Sequence, residues 1–156
     1  MQSKFRVVAE NVAEAIRNIP QFAGRADVSV VVEDKGDVDF QIAEAVAGVG
    51  VCVIVGVMGF NRRSQSGPVV SGTLNLEIRL IERPSVNRNE QGAITAQEAS
   101  EAILRAAHWR RVPGLAGPLL FDGFTRDDTA EMDVVRNTYN AEMSFGLAEA
   151  SQSAIP

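Results

Sequence analysis

The sequence predicts an α+β domain: a single mixed, largely antiparallel β-sheet with about three helices, in the order α-β-α-β-β-α-β-β. Three observations carry this expectation. Apolar residues recur every three or four positions near the N-terminus and again after Thr95, which is helical spacing. The run Val51 to Met58 is apolar on both faces, as in a strand covered on both sides. Leu74, Leu76, Ile78 and Leu80 alternate with Thr73, Asn75, Glu77 and Arg79, the period of a half-buried strand.

Taken in order, Phe5, Val8, Val12, Ile16 and Ile19 share one face of a helix running from Lys4 to Asn18, and Pro20 ends it. Val28 to Val32 is β-branched and short, a strand. Asp34-Lys35-Gly36-Asp37 is turn chemistry. A second helix is expected over Phe40 to Ala47, with Asp37 or Asp39 as N-cap and Gly48 as C-cap. After the strand Val51 to Met58, Asn61 to Pro68 is polar without periodicity and reads as a loop. The alternating strand follows, and Pro84 to Ala93 reads as a second long loop. Thr95-Ala96-Gln97-Glu98 is a capping box that opens a third helix reaching about Trp109. Leu119 to Arg126 and Met132 to Leu147 read as two antiparallel strands joined at Asp127-Asp128. In the last strand Val135, Tyr139, Ala141, Met143, Phe145 and Leu147 share a face. One domain over 1–147 is expected, with 148–156 a frayed tail.

Composition narrows the function. The chain has 156 residues, 46% of them hydrophobic and 22% charged, with a net charge of −5. That balance suits a folded globular domain and disfavours general binding to nucleic acid or anionic membrane. No run reaches the roughly 18 apolar residues of a spanning helix, and the N-terminus enters an amphipathic pattern, so no signal peptide is expected. Cys52 is the one cysteine and His108 the one histidine, which leaves no internal disulfide and no Cys- or His-rich metal site within one chain. Only Lys4 and Lys35 are lysines. The other basic residues are arginines, a bias that a GC-rich genome explains and that interfaces also favour.

No catalytic or cofactor motif emerges. Gly48-Val49-Gly50 precedes a strand, whereas a phosphate-binding turn must follow one and open a helix. Asp122, Asp127, Asp128, Glu131 and Asp133 surround a hairpin turn without calcium-loop spacing. Cys52 sits in the most apolar strand, where a buried inert thiol is the default. No serine has a nucleophile-elbow setting. The chain is therefore expected not to be an enzyme, with no catalytic residues, no cofactor and no metal. The expected contacts are with proteins. Arg62, Arg63, Arg83 and Arg88 fall in predicted loops, and Trp109, Arg110 and Arg111 close the third helix. Trp109 is either an interface anchor or a cover for the core edge. Acidic partners are available at Asp127, Asp128, Glu131 and Asp133.

The element order, the long strand ending in Glu82-Arg83-Pro84-Ser85-Val86-Asn87-Arg88, the capped helix and the closing segment "NTYNAEMSFGL" together resemble the tail terminator proteins of long-tailed bacteriophages and prophages. These are also called tail completion or minor tail proteins. The resemblance spans about Phe5 to Leu147. It implies a virion structural protein, a mixed sheet flanked by helices, and a hexameric ring. The ring caps the tail tube and presents a surface to head-completion or connector proteins, without catalysis or cofactor. It implies self, the tail tube protein and the connector as partners, no specific nucleic acid and no membrane. The location implied is the virion tail, after assembly in the host cytoplasm. The competing readings are another tail, neck or baseplate adaptor, and a small-molecule-binding domain or enzyme.

Overall fold

The computed structural model describes residues 3–33, 50–87, 93–129 and 131–146. Within them, one mixed five-stranded sheet has the order β1-β2-β3-β5-β4. The strands are β1 (Val28–Val32), β2 (Val51–Ser66), β3 (Val69–Glu82), β4 (Leu120–Arg126) and β5 (Asp133–Gly146). β1 runs parallel to β2, and every other pairing is antiparallel. The fold is therefore α+β, as expected. Among the described residues the helix count is lower than the about three expected. Two helices exceed one turn, α1 (Lys4–Arg17) and α3 (Ala96–Ala107), and α2 (Pro84–Asn87) is a single turn inside the second predicted loop. The helix expected over Phe40 to Ala47 lies outside the described residues, as does the expected tail.

Both long helices pack on one face of the sheet. α1 buries Val8, Ala9, Val12, Ala13 and Ile16, and α3 buries Ala99, Ala102, Ile103 and Ala107. Their alanines let the helix backbones come close to the large sheet residues beneath, Val53, Val55, Leu74, Leu76, Ile78, Leu80 and Tyr139. The start of α3 is fixed chemically. Thr95 Oγ1 accepts the Glu98 N–H at 3.1 Å, and the buried Glu82 carboxylate accepts the Ala96 N–H at 2.9 Å. On the opposite face, Cys52, Ile54, Ile81 and Val134 form a small second cluster. That gives the start of β2 the cover on both sides its sequence predicted. Gly50, at φ 120°, enters β2 so close to Asp27 that a Cβ there would fall 1.8 Å from the Asp27 carbonyl oxygen.

The predicted loop over Asn61 to Pro68 is not a loop. β2 continues to Ser66, and Gly67 and Pro68 turn directly into β3. Gly67, at φ 57°, supplies the positive φ a two-residue hairpin turn needs. Asn61 to Ser64 carry no apolar alternation because this stretch lies beyond the helices, with its side chains exposed. The backbone ladder to β3 needs no apolar face. Two bulges, between Val57 and Gly59 and between Arg62 and Ser64, shift the register along it.

Candidate interaction surface

β2, β3 and β5 outrun their neighbours. β1 ends at Val32 opposite Val55, and β4 begins at Leu120 opposite Asn140. Beyond those points β2, β3 and β5 continue as a three-stranded arm to Ser66, Val69 and Gly146. Its underside is held to the body by Phe5 of α1. The Phe5 ring stands 5.9 Å from that of Phe60 and 5.2 Å from that of Phe145, and the Lys4 ammonium lies 5.5 Å above Phe145. Among the described residues, the outer edge of the β2 part of the arm has no strand partner. Along the β5 part, the Ala116 N–H donates to the Glu142 carbonyl at 2.8 Å, and no strand pairs there.

The predicted contact residues fall into separate places. Arg62 and Arg63 are exposed on the β2 part of the arm, and Arg63 is ion-paired with Glu142 across β3. Arg83 lies at the other end of the sheet, half-buried, in an open hollow of about 600 Å³ that Ser85, Glu131 and Asp133 also line. Arg88 is outside the described residues. Trp109, Arg110 and Arg111 do come together, just after α3. The acidic turn expected to serve as a partner is largely neutralised within the chain. Arg126 meets Asp128 at 2.8 Å, Arg136 meets Asp127 at 3.4 Å, and the Asp128 side chain accepts the Val134 N–H.

The Trp109 turn has an unusual construction. α3 ends at Ala107, and Trp109 takes φ 67°, the left-handed region that costs a non-glycine residue about 1–2 kcal/mol. Flanking hydrogen bonds hold it there. The Trp109 N–H donates to Leu119 at 2.7 Å, the Leu119 N–H donates to Arg110 at 2.9 Å, and His108 Nδ1 accepts the Phe121 N–H at 3.1 Å. The indole is 67% exposed, which answers the sequence's open alternative: it does not cover the core. Arg105, near the end of α3, and Arg110 and Arg111, just after Trp109, are exposed and make no ion pair among the described residues, unlike Arg17, Arg63, Arg126 and Arg136.

Met58 escaped the sequence reading. It is the extra residue of the first β2 bulge and is 60% exposed. The apolar run Val51 to Met58 predicts a buried strand, and a bulge leaves no mark in a run of valines and glycines. Phe5, Ala9, Val32 and Val57 line a hollow of about 450 Å³, together with the polar Ser3, Arg6 and Glu33.

Burial pushes the Cys52 thiol up to about 11, against a smaller opposite pull from Arg79, so the thiolate is scarce at neutral pH. Burial raises Tyr139 as well. Hydrogen bonds from Arg25 hold the Asp27 carboxyl below its ordinary range. No group of three or more His, Cys, Asp or Glu among the described residues is placed to hold a metal ion. No described helix is long and apolar enough to cross a membrane. No family model matches the chain, and no curated protein matches it.

Proposed function

We propose that this chain is a virion structural subunit of the tail terminator kind. In this reading, copies close into a ring on the end of a phage or prophage tail tube, stop its growth and dock the head-completion proteins. The observation that supports it most is the arm. Among the described residues, the long strands run past their neighbours and leave two unlike edges without a strand partner, β2 on one side and β5 on the other. Such edges are docking surfaces. Because they are unlike, copies joined through them meet head to tail, and head-to-tail contacts close into rings when the rotation allows. The element order and closing segments that resemble tail terminators give the ring its place in the virion.

The reading assigns no catalytic step and no cofactor, and its partners are other copies, the tube end and the connector. The test is deletion of the gene from the phage or prophage that carries it. Tails of irregular or excessive length, not joined to heads, are expected. Tails of normal length on infectious particles would contradict the reading.

A further inference from the structure

We infer that His108 makes the Trp109 turn sensitive to pH: the neutral imidazole ties the turn to β4, and protonation in mild acid loosens it. The inference needs no partner and stands apart from the tail reading.

The hydrogen bond fixes the charge state of the ring. β4 is an edge of the sheet, so the N–H groups on its outer side have no strand to donate to. The Phe121 N–H donates instead to His108 Nδ1 at 3.1 Å. An N–H must meet a lone pair, and turning the ring over would put a carbon in that place. Nδ1 is therefore bare, and the neutral ring carries its proton on Nε2. An imidazolium has a proton on both nitrogens and accepts nothing, so protonation would set donor against donor. The closed turn and a proton on Nδ1 exclude each other. The bond is complete while the ring is neutral and is lost as pH falls through the range in which histidines titrate, about 5 to 8.

The position of the bond gives its loss a consequence. Three hydrogen bonds tie the two ends of the connection between α3 and β4: His108 to Phe121, Trp109 to Leu119, and Leu119 to Arg110. Between the first two sits Trp109 at φ 67°, a strained conformation that persists only while its surroundings over-determine it. Removing one of the three bonds lets the strain relax more often. His108 is exposed, so a proton reaches it from solvent without any unfolding.

The neighbouring charges leave this bond as the group that titrates. Arg105 lies one turn back on α3, Arg110 and Arg111 follow in the connection, and Asp122 follows Phe121 on β4. Residues 112–119 carry no titratable side chain. On β5, Glu142 takes the Ala116 N–H on its carbonyl and pairs its carboxylate with Arg63. On α1, Glu10 and Glu14 pair with Arg6 and Arg17. Among the described residues His108 pairs with no carboxylate, so a proton taken up by the ring is traded against the Phe121 N–H alone.

The test is amide hydrogen exchange by NMR on the full chain, expressed as protection factors, at about pH 7.5 and about pH 5. Wild-type Phe121 should lose roughly threefold to tenfold in protection on acidification, the equilibrium worth of one hydrogen bond. Trp109 and Leu119 should follow, and Leu76 in the core should not. His108→Asn cannot titrate, so its protection at these amides should be the same at both pH values. His108→Phe has no acceptor and should show the low protection at both. If His108→Phe does not fold, wild type and His108→Asn decide alone. Emission from Trp109 cannot serve, because an imidazolium whose ring lies 5.9 Å from the indole quenches it without any movement of the backbone. An unchanged wild type, a pH dependence retained in His108→Asn, or a loss at Phe121 that Trp109 and Leu119 do not share would each overturn the inference. So would a loss shared by Leu76, which is general acid unfolding.

Discussion

The same strands, β2, β3 and β5, behave differently in their two halves. Beneath the helices, every second residue from Leu74 to Leu80 is buried, and so are their partners Val53, Val55, Val135 and Tyr139. In the arm, the same backbones stay hydrogen-bonded while β2 carries Asn61, Arg62, Arg63 and Ser64 into solvent. Burial stabilises the first half throughout, whereas the second stands on the ladder, the Phe5–Phe60–Phe145 cluster, the buried Ala141 and Met143 of β5 and one tight turn. A strand therefore need not stop where its apolar pattern stops. The unburied part is the part left for other molecules.

The comparison can be broken by substitutions on either side of the boundary. The largest effect is expected from Leu76→Asp, at the centre of the covered half. An unpaired carboxylate there costs several kcal/mol against a total of roughly 5–15, and cooperative unfolding should vanish from the circular dichroism melt. A normal melt would mean that this row is not the core. Next comes Thr95→Ala, which removes the side-chain cap of α3 and should cost about 1 kcal/mol in urea titration. An unchanged midpoint would show that Glu82 alone holds the helix start.

Acid titration gives a smaller effect. The Asp27 carboxyl lies below its ordinary range in the folded state, chiefly through hydrogen bonds from Arg25. Its contribution to stability is therefore complete above the ordinary carboxylate pKa of about 4 and is lost as pH falls through the folded value. Asp27→Asn should melt lower than wild type near neutrality, and the gap should narrow under acid. A constant gap would deny the Arg25–Asp27 pair any such role. The smallest effect on folding is expected in the arm. R62E/R63E should change stability by about 0.5 kcal/mol or less and yet impair assembly. A large drop in melting temperature would mean that the arm supports the body, which would dissolve the contrast between the two halves.

How far the sequence revealed this molecule follows the same boundary. α1, the Thr95 cap, the Leu74–Leu80 row and the pairing of the last two strands were legible because burial writes a period into them. Asn137 broke that pattern. It is polar but buried in the core row, where its side-chain N–H donates to Ser100 at 2.7 Å. The arm was illegible because nothing buries Asn61 to Ser64. Trp109, Arg110 and Arg111 were named as contact residues from their place after a helix, but the left-handed turn that displays them depends on hydrogen bonds to Leu119 and Phe121. The hollow could not be read at all. Phe5, Val32 and Val57 lie far apart in sequence, and only the order of the sheet brings them together.

The most direct measurement of the central claim, that unlike flanks of one subunit join copies into a closed ring, is the mass of the assembled protein by native mass spectrometry. The account predicts one closed stoichiometry, a hexamer by the resemblance, that R62E/R63E impairs without unfolding the subunit. A monomer at every concentration, or an open-ended ladder of masses without a closed species, would contradict it.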